Sequence, residues 1–157
     1  MATGPAHEST YRLLLVEDNR DALIAGAHLL EEVGFVVELA RTGARGLVKA
    51  TTVRPDVIVT DLMLPDRTGE DVVRELRRGR ATRHIPVLVY TAVTDAEQLV
   101  RLVRLRVRVF AIKPCLPTVI GVEARRLLND KTSLAIRVLT GYGEILEDLV
   151  QQLTDLA

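Results

Sequence analysis

The chain has 157 residues, about the length of one domain, so it can bury a sizeable core without a disulfide or metal staple. Its 21 Lys and Arg residues balance 21 Asp and Glu residues, which argues against a protein-wide basic surface for nucleic acid. Aromatic residues make up only 3%, which argues against a base-stacking surface, and the single cysteine excludes an internal disulfide and a cysteine-rich zinc site.

Short apolar runs alternate with amphipathic segments between residues 11 and 130. The runs have the length of buried strands, and the segments between them repeat apolar residues at three- and four-residue steps, as helices do. Asn19 and Asp95 are predicted helix N-caps, and Gly34 ends the first helix. The predicted strands are 12–16, 35–40, 55–60, 86–90 and 107–112, and the predicted helices are 20–33, 44–50, 70–78, one after Asp95 that carries Leu99, Leu102 and Val103, and 118–128.

This order is a strand–helix unit repeated five times, and it predicts an α/β fold. Strands this apolar are covered on both faces, which is typical of a parallel sheet with helices on each side. Right-handed crossovers of this size favour a flavodoxin-like (βα)5 doubly wound parallel sheet of order 2-1-3-4-5. A (β/α)8 barrel is excluded because it needs eight units.

The last residues extend beyond this pattern. Residues 133–139 are apolar, a Gly-Tyr-Gly sequence interrupts them, and apolar residues then recur at helical spacing from Tyr142 to Leu156. We therefore divide the chain into a flexible N-terminus (1–10), a main domain (11–130) and a C-terminal amphipathic helical extension (131–157). The apolar face of this helix either folds back on the domain or docks on a second copy or a partner. Docking on a second copy or a partner is favoured over folding back, so a homodimer or a partner complex is expected.

Polar residues follow four of the five predicted strands. Glu17 and Asp18 follow the first strand, Asp61 the third, Thr91 the fourth and Lys113 the fifth. In open α/β sheets, ligands bind beyond the carboxyl ends of the strands, so these side chains are expected to share one crevice. Clustered carboxylates favour a divalent cation such as Mg²⁺, and an Asp beside a Lys and a hydroxyl can accept a phosphoryl group.

These residues lie in motifs that resemble the receiver domain of bacterial two-component response regulators, including the chemotaxis regulators. The matching segments are 14–19, 61–69, 89–92 and 110–114, and the resemblance covers about residues 11–130. It implies a signalling domain rather than an enzyme, with at most self-phosphorylation from small donors and self-dephosphorylation. The phosphoryl donor would be a sensor histidine kinase or a phosphotransfer protein.

The resemblance also implies a role for each site residue. Asp61 would be the phosphoacceptor, and Thr91 and Lys113 would bind the phosphoryl oxygens. Phosphorylation would switch the surface formed by helix 4, strand 5 and helix 5, with Thr91 and Phe110 as the switch residues. The bond between Lys113 and Pro114 fits the cis or strained bond often found at this point of the family. The expected Mg²⁺ ligands are Glu17, Asp18, Asp61 and the backbone carbonyl of Met63.

Two features depart from the usual family pattern. Met63 and Val93 stand at the positions that influence the hydrolytic water in this family, and neither side chain can hold a water, so we expect slow self-dephosphorylation. The segment before the fifth strand, where the family often has Gly-Ala, is instead rich in cations. The excess is either a solvated face or an output surface for an acidic partner or a dimer. Across residues 95–113 the cations are Arg101, Arg104, Arg106, Arg108 and Lys113, against Asp95 and Glu97.

Other functions fit the sequence less well. A phosphohydrolase with an aspartyl nucleophile usually has a second Asp where Met63 stands, and a receiver that no longer takes phosphate would not be expected to keep Asp18, Asp61, Thr91 and Lys113 together. Direct binding to nucleic acid is not expected, although the chain could be the receiver fragment of a longer regulator or hybrid kinase. No apolar run approaches the roughly 20 residues of a membrane span and no signal peptide is recognisable, so we expect a cytoplasmic protein without membrane contact.

Overall fold

The computed structural model describes residues 10–157. The flexible N-terminus predicted for residues 1–10 lies almost entirely outside this range. The strands are β1 (Arg12–Val16), β2 (Val36–Ala40), β3 (Val57–Thr60), β4 (Val87–Thr91), β5 (Val109–Ile112) and β6 (Arg137–Leu139). The helices are α1 (Arg20–Glu32), α2 (Gly43–Thr52), α3 (Gly69–Arg78), α4 (Ala96–Arg104), α5 (Pro117–Asn129) and α6 (Glu147–Leu156).

All six strands form one parallel sheet in the order β2-β1-β3-β4-β5-β6. The first five follow the predicted order 2-1-3-4-5, so the flavodoxin-like doubly wound fold is confirmed. Neighbouring residues along a strand point to opposite faces, and this alternation divides the core in two. One buried cluster joins the sheet to α2, α3, α4 and α6, and the other joins it to α1 and α5.

Local signals explain how the helices begin. The Asn19 side chain accepts the Ala22 N–H at 2.9 Å, as predicted for an N-cap, and Thr42 and Thr68 cap α2 and α3 in the same way. Asp95 stands at the N-cap of α4, but its carboxylate accepts no capping hydrogen bond. No helix among residues 10–157 is both long and apolar enough to cross a membrane.

The C-terminal extension differs from the prediction in two ways. Residues 137–139 form a sixth strand beside β5 rather than part of a helical segment, with Val138 opposite Phe110. The final helix begins at Glu147 and not near Tyr142, because Thr140 and Glu144 close a turn through a backbone hydrogen bond of 2.8 Å. Tyr142 is consequently 86% exposed instead of lying on the apolar face of the helix.

The apolar face of α6 packs within the chain. Leu153 is fully buried in the cluster that contains Phe110, and Leu149 and Val150 pack against that cluster. Contacts between α6 and α4 are extensive, and the Arg104 guanidinium donates to the Leu156 carbonyl at 3.0 Å. Of the two alternatives for this face, the structure thus shows packing on the chain's own domain. The prediction favoured docking of this face on a second copy or a partner, whereas these residues pack on α4 and the core of their own chain.

Candidate functional site

The expected site residues meet at the carboxyl ends of the strands. Glu17 follows β1, Asp61 follows β3, Thr91 ends β4 and Lys113 follows β5, because parallel strands bring these ends to one edge. Glu17, Asp61 and Thr91 are almost completely buried. Asp18 lies beside them and is exposed to solvent. The strand order thus brings these groups to one edge of the sheet, as predicted.

Lys113 neutralises the carboxylates at the centre of the site. Its Nζ lies 2.6 Å from Asp61 Oδ2 and 3.1 Å from Glu17 Oε2, and it also lies 4.6 Å from the centre of the Tyr90 ring. Burial would lower the pKa of Lys113, but the hydrogen bonds and charges of Asp61 and Glu17 outweigh it and raise the pKa. The ammonium group is consequently charged at neutral pH.

Glu17 shows the opposite balance. Burial raises its pKa above the ordinary value, and the charge of Asp61 adds to the increase, while the hydrogen bond and charge of Lys113 act to lower it. The pKa of this carboxylate thus stays above its ordinary value although an ammonium group is bound to it, which means that the positive charge of Lys113 does not fully offset the burial of Glu17. A further cation at this position would therefore stabilise the ionised form.

The carboxylates fit a divalent metal ion. Oxygen atoms of Glu17, Asp18 and Asp61 all lie within 4.8 Å of one another. Mg²⁺ prefers oxygen ligands and binds through one or two carboxylates together with water. The Met63 N–H donates to Asp61 Oδ1 at 3.2 Å, which brings the backbone of this expected ligand next to the carboxylate. The donor set thus has the chemistry that Mg²⁺ requires.

The loop after β3 depends on a close contact at Gly69. The Gly69 N–H donates to the Leu62 carbonyl at 2.7 Å. A Cβ atom at this residue would lie 2.2 Å from the Asp61 carbonyl oxygen, closer than real Cβ contacts come. Only glycine lets α3 start this near to Asp61. The Gly69 position is therefore part of how the chain holds the Asp61 backbone in place.

Thr91 and Phe110 lie on neighbouring strands, at the places that the resemblance assigns to switch residues. The Thr91 hydroxyl accepts the Val93 N–H at 3.1 Å, which leaves its own O–H free to donate. Phe110 is fully buried, and its partner across the sheet is Val138 in β6. An outward turn of the Phe110 ring would thus require the extension to move.

The C-terminal extension also touches the loop that carries Lys113. The Leu116 N–H donates to the Gly141 carbonyl at 3.2 Å, and the Cys115 thiol lies 3.6 Å from the Thr140 carbonyl. A Cβ on Gly141 would lie 2.4 Å from the Pro114 carbonyl oxygen. The bond between Lys113 and Pro114 is cis, as the resemblance implied. The extension therefore packs directly behind the site.

Comparison with known proteins identifies the family. The family model described as "Response regulator receiver domain" matches residues 13–120. The chain belongs to this family. Receiver domains are signalling domains rather than classical enzymes, and they bind Mg²⁺ at an acidic pocket such as the one formed here by Glu17, Asp18 and Asp61.

The receiver is similar to curated proteins and solved structures. It is 34% identical over 144 residues to the transcriptional regulatory protein CusR of Escherichia coli, covering 90% of this chain and 61% of CusR. It is 31% identical to the hybrid signal transduction histidine kinase D of Dictyostelium discoideum, of which it covers 9%. The chain thus spans about three fifths, or far less, of the length of these two relatives.

Solved structures agree on the fold. A receiver domain protein from Methanospirillum hungatei has a TM-score of 0.73 at 24% identity and covers 78% of this chain and 97% of its own. A LuxR-family response regulator from Aurantimonas has a TM-score of 0.75 at 19% identity and covers 94% of this chain and 98% of its own. The latter coverage includes most of the C-terminal extension.

Sequence reasoning missed two contacts of the site. The position of Lys113 over Tyr90 depends on the register of β4 and β5, in which Thr91 pairs with Ile112. The packing of Gly141 on Pro114 depends on how the extension folds back. The only sequence signal for the second contact was the Gly-Tyr-Gly interruption, which indicated a break without indicating what lies against it.

Proposed function

We propose that this receiver accepts a phosphoryl group on Asp61 from a sensor histidine kinase or a phosphotransfer protein. The observation that carries this proposal is the buried Asp61 carboxylate with Lys113 Nζ at 2.6 Å and the carboxylates of Glu17 and Asp18 beside it. A carboxylate that is fixed by an ammonium group and flanked by metal ligands suits attack on phosphorus.

The transfer needs few protein groups. An Asp61 carboxylate oxygen forms a bond to phosphorus while the phosphorus–nitrogen bond of the donor phosphohistidine breaks, and the imidazole nitrogen keeps the electron pair. Lys113 and the free Thr91 O–H bind the phosphoryl oxygens, and they stabilise the charge that those oxygens carry. Lys113 Nζ already lies 2.6 Å from Asp61 Oδ2, and Thr91 ends the strand next to the one that Asp61 follows.

Metal binding is the second part of the proposal. Glu17, Asp18, Asp61 and the Met63 backbone carbonyl would hold Mg²⁺, of which the first three offer carboxylate oxygens within 4.8 Å of one another. The ion would supply positive charge that reduces the repulsion between the carboxylates and the incoming phosphoryl group.

The decisive experiment is incubation with acetyl phosphate and Mg²⁺, followed by intact-mass measurement. We expect wild-type protein to gain roughly 80 Da, the mass of one phosphoryl group. An Asp61→Asn variant is expected to gain nothing, because the amide is no nucleophile for phosphorus. Asp71→Asn is the control, since Asp71 is an exposed carboxylate in the first turn of α3 and this variant should react like wild type. A mass gain that persists in Asp61→Asn would overturn the assignment.

The output of the switch involves the extension. In the proposal, phosphorylation changes the surface formed by α4, β5 and α5, with Thr91 and Phe110 as the moving residues. In this chain β6 and α6 cover part of that surface, and the Thr140–Gly141 backbone lies against the Lys113 loop. We infer that the docking of the extension is what responds to the phosphoryl group. The binding of partners would then depend on the position of the extension as well as on that of α4.

The proposal extends to the lifetime of the phosphoryl group. Hydrolysis needs a positioned water, and neither the 69% exposed Met63 side chain nor the half-buried Val93 side chain can hold one by a hydrogen bond. We expect the phosphoryl group on Asp61 to persist for minutes or longer. Met63→Asn is expected to shorten the lifetime several-fold, whereas Met63→Leu should leave it unchanged. Lifetimes follow from intact mass at intervals after removal of the donor.

A wild-type lifetime of seconds or less, lengthened little by removing Mg²⁺, would contradict this expectation. The cytoplasmic location, the lack of direct nucleic-acid binding and the domain boundary at residue 130 stay predictions. That the receiver serves as part of a longer regulator or hybrid kinase also stays a proposal, since the chain matches only 61% of CusR and 9% of the hybrid kinase.

A further inference from the structure

A cluster of positive charge lies at the opposite end of the sheet from Asp61. Arg77 stands near the end of α3, Arg106 in the turn between α4 and β5, and Arg108 directly before β5. These three side chains line one cavity of about 170 Å³, together with Arg83, His84 and Lys131. The cations that the sequence places between residues 95 and 113 therefore do not form one face. Arg101 instead pairs with Glu70 at 2.9 Å and Arg104 binds α6.

The three guanidinium groups are held by neutral oxygens. Arg77 donates to the carbonyls of Leu105, Ile85 and Arg83 at 2.8, 2.7 and 3.1 Å. Arg106 and Arg108 likewise donate to backbone carbonyls, at 3.2 and 2.7 Å respectively. Within residues 10–157, no carboxylate oxygen lies within 4.0 Å of any of these three groups.

Positive charge therefore outnumbers negative charge around this cavity, since five Arg and Lys residues line it with one carboxylate. Asp130 also lines the cavity, but its carboxylate accepts hydrogen bonds from Thr132 and Ser133. Burial lowers the pKa of Arg77 to about 10, and the charges of Arg106 and Arg108 add to the decrease. Each guanidinium carries five N–H donors, so each retains donors that no described acceptor uses.

The backbone at Arg106 ends α4 and holds this side chain beside the cavity. Arg106 has φ of +67°, a left-handed conformation at the end of α4 where glycine is strongly favoured. A side chain in this conformation costs free energy, and strain of this kind tends to occur at functional sites. Arg106 keeps this conformation although it costs free energy, and its guanidinium donates to the Arg83 carbonyl beside the cavity.

We propose that this cavity binds a small multivalent oxyanion of the phosphate type, held by Arg77, Arg106 and Arg108. Planar guanidinium groups match the oxygens of a phosphoryl group, and unused donors on three side chains suit a ligand with several charged oxygens. A cavity of about 170 Å³ admits a phosphate or a pyrophosphate group, whereas a folded acidic surface would meet only its rim. The ligand is either the free anion or a phosphate ester of a larger molecule.

The test is isothermal titration with sodium pyrophosphate at constant ionic strength, without Mg²⁺ and with a chelator present. We expect saturable binding that is weakened about tenfold or more in Arg106→Gln and in Arg108→Gln, because each loses a charged hydrogen bond to the ligand. Arg45→Gln is the charge-matched control on the exposed face of α2 and should bind like wild type. Adenosine diphosphate in place of pyrophosphate distinguishes a phosphate ester from the free anion.

Arg106→Gly separates binding from folding. Glycine relieves the positive φ, so this variant should unfold at the same or a higher temperature while its affinity for pyrophosphate falls about tenfold. The proposal is overturned if no saturable binding occurs at millimolar pyrophosphate, or if Arg45→Gln weakens binding as much as Arg106→Gln. Tighter binding of poly-glutamate than of pyrophosphate at the same residues would also overturn it, in favour of an acidic protein partner.

Phosphoacceptor activity does not enter this measurement. The Asp61→Asn variant is expected to bind pyrophosphate like wild type, since Asp61 follows β3 at the other end of the sheet. A failure of the oxyanion proposal therefore leaves the phosphoacceptor proposal untouched, and the reverse also holds.

Discussion

A Lys113→Met variant is expected to unfold more readily than the wild type at neutral pH and to take up no phosphoryl group from acetyl phosphate. The wild-type ammonium lies 2.6 Å from Asp61 and 3.1 Å from Glu17, both of them buried. Removing one partner of a buried ion pair costs about 3–5 kcal/mol. Since the Lys113 side chain is 26% exposed, we expect the lower end of that range, about 3 kcal/mol.

The loss should depend on pH. Without Lys113, nothing opposes the burial and the charge of Asp61 that raise the pKa of Glu17, so this pKa rises further in the folded variant. A folded state that binds a proton more tightly than the unfolded state gains stability as the pH falls. Lys113→Met should therefore be closest to wild type at acidic pH and should lose stability as the pH rises through the folded-state pKa of Glu17.

Denaturant titrations at pH 5 and pH 8, with and without Mg²⁺, measure these effects. Mg²⁺ should stabilise Lys113→Met more than wild type, because the ion no longer competes with the ammonium for the same carboxylates. The matched control is Lys49→Met, since Lys49 lies 3.8 Å from Glu38 in a partly exposed pair and otherwise donates only to the Leu39 carbonyl at 2.5 Å. That pair should contribute only about 0–1 kcal/mol. Equal destabilisation by both variants would contradict the central role given to Lys113.

The second large effect is expected from Leu153→Ala in α6. Leu153 is fully buried in the core cluster that contains Phe110 and Val138. Replacing a buried leucine with alanine costs about 2–5 kcal/mol through lost burial and the cavity that remains. Leu156→Ala is the control in the same helix, because Leu156 is 45% exposed and its loss should cost far less.

The reactivity of the Cys115 thiol can show whether Leu153→Ala weakens the docking of the extension. Cys115 is the only cysteine of the chain, it is buried, and burial followed by the charge of Glu123 raises the pKa of its thiol to about 11. Its thiol lies 3.6 Å from the Thr140 carbonyl of the extension. Labelling with a thiol reagent at pH 8 should therefore be slow in the wild type. In Leu153→Ala it should become about tenfold faster or more, because the extension opens more often.

The same thiol can test the proposed output of the switch. If labelling in Leu153→Ala stays as slow as in Leu156→Ala, α6 does not hold the extension over Cys115. If the extension responds to phosphorylation, acetyl phosphate with Mg²⁺ should change the labelling rate in wild type and leave it unchanged in Asp61→Asn. The partly buried Arg137 also pairs with the buried Glu123 at 2.8 Å, and this contact joins β6 to α5.

Most of the fold could be predicted from local sequence. Short apolar runs located β1 to β5, apolar residues at three- and four-residue steps located α1 to α5, and the cap at Asn19 located the start of α1. The rule that parallel strands bring their carboxyl ends together then placed Asp61 near Lys113 from residues that are 52 positions apart. The local hydrophobic pattern and the chain topology are enough for these features because neither depends on how individual side chains pack.

The extension could not be predicted in the same way. Residues 137–139 become a strand because β5 offers an unpaired edge, and the turn at Thr140–Glu144 delays the start of α6 until Glu147. The apolar period of α6 correctly predicted a buried face but not which surface covers it, since an amphipathic pattern is the same for self-packing and for dimerisation.

The sequence by itself determined the βα order, the buried strands and the residue types at their carboxyl ends, because hydrophobic period and chain order encode them directly. Tertiary structure alone decided that Lys113 bridges Glu17 and Asp61, that the extension lies over Phe110 and behind the Lys113 loop, and that Arg77 joins Arg106 and Arg108. Each of these contacts depends on strand register and on the way side chains from distant segments share space, which no local pattern specifies.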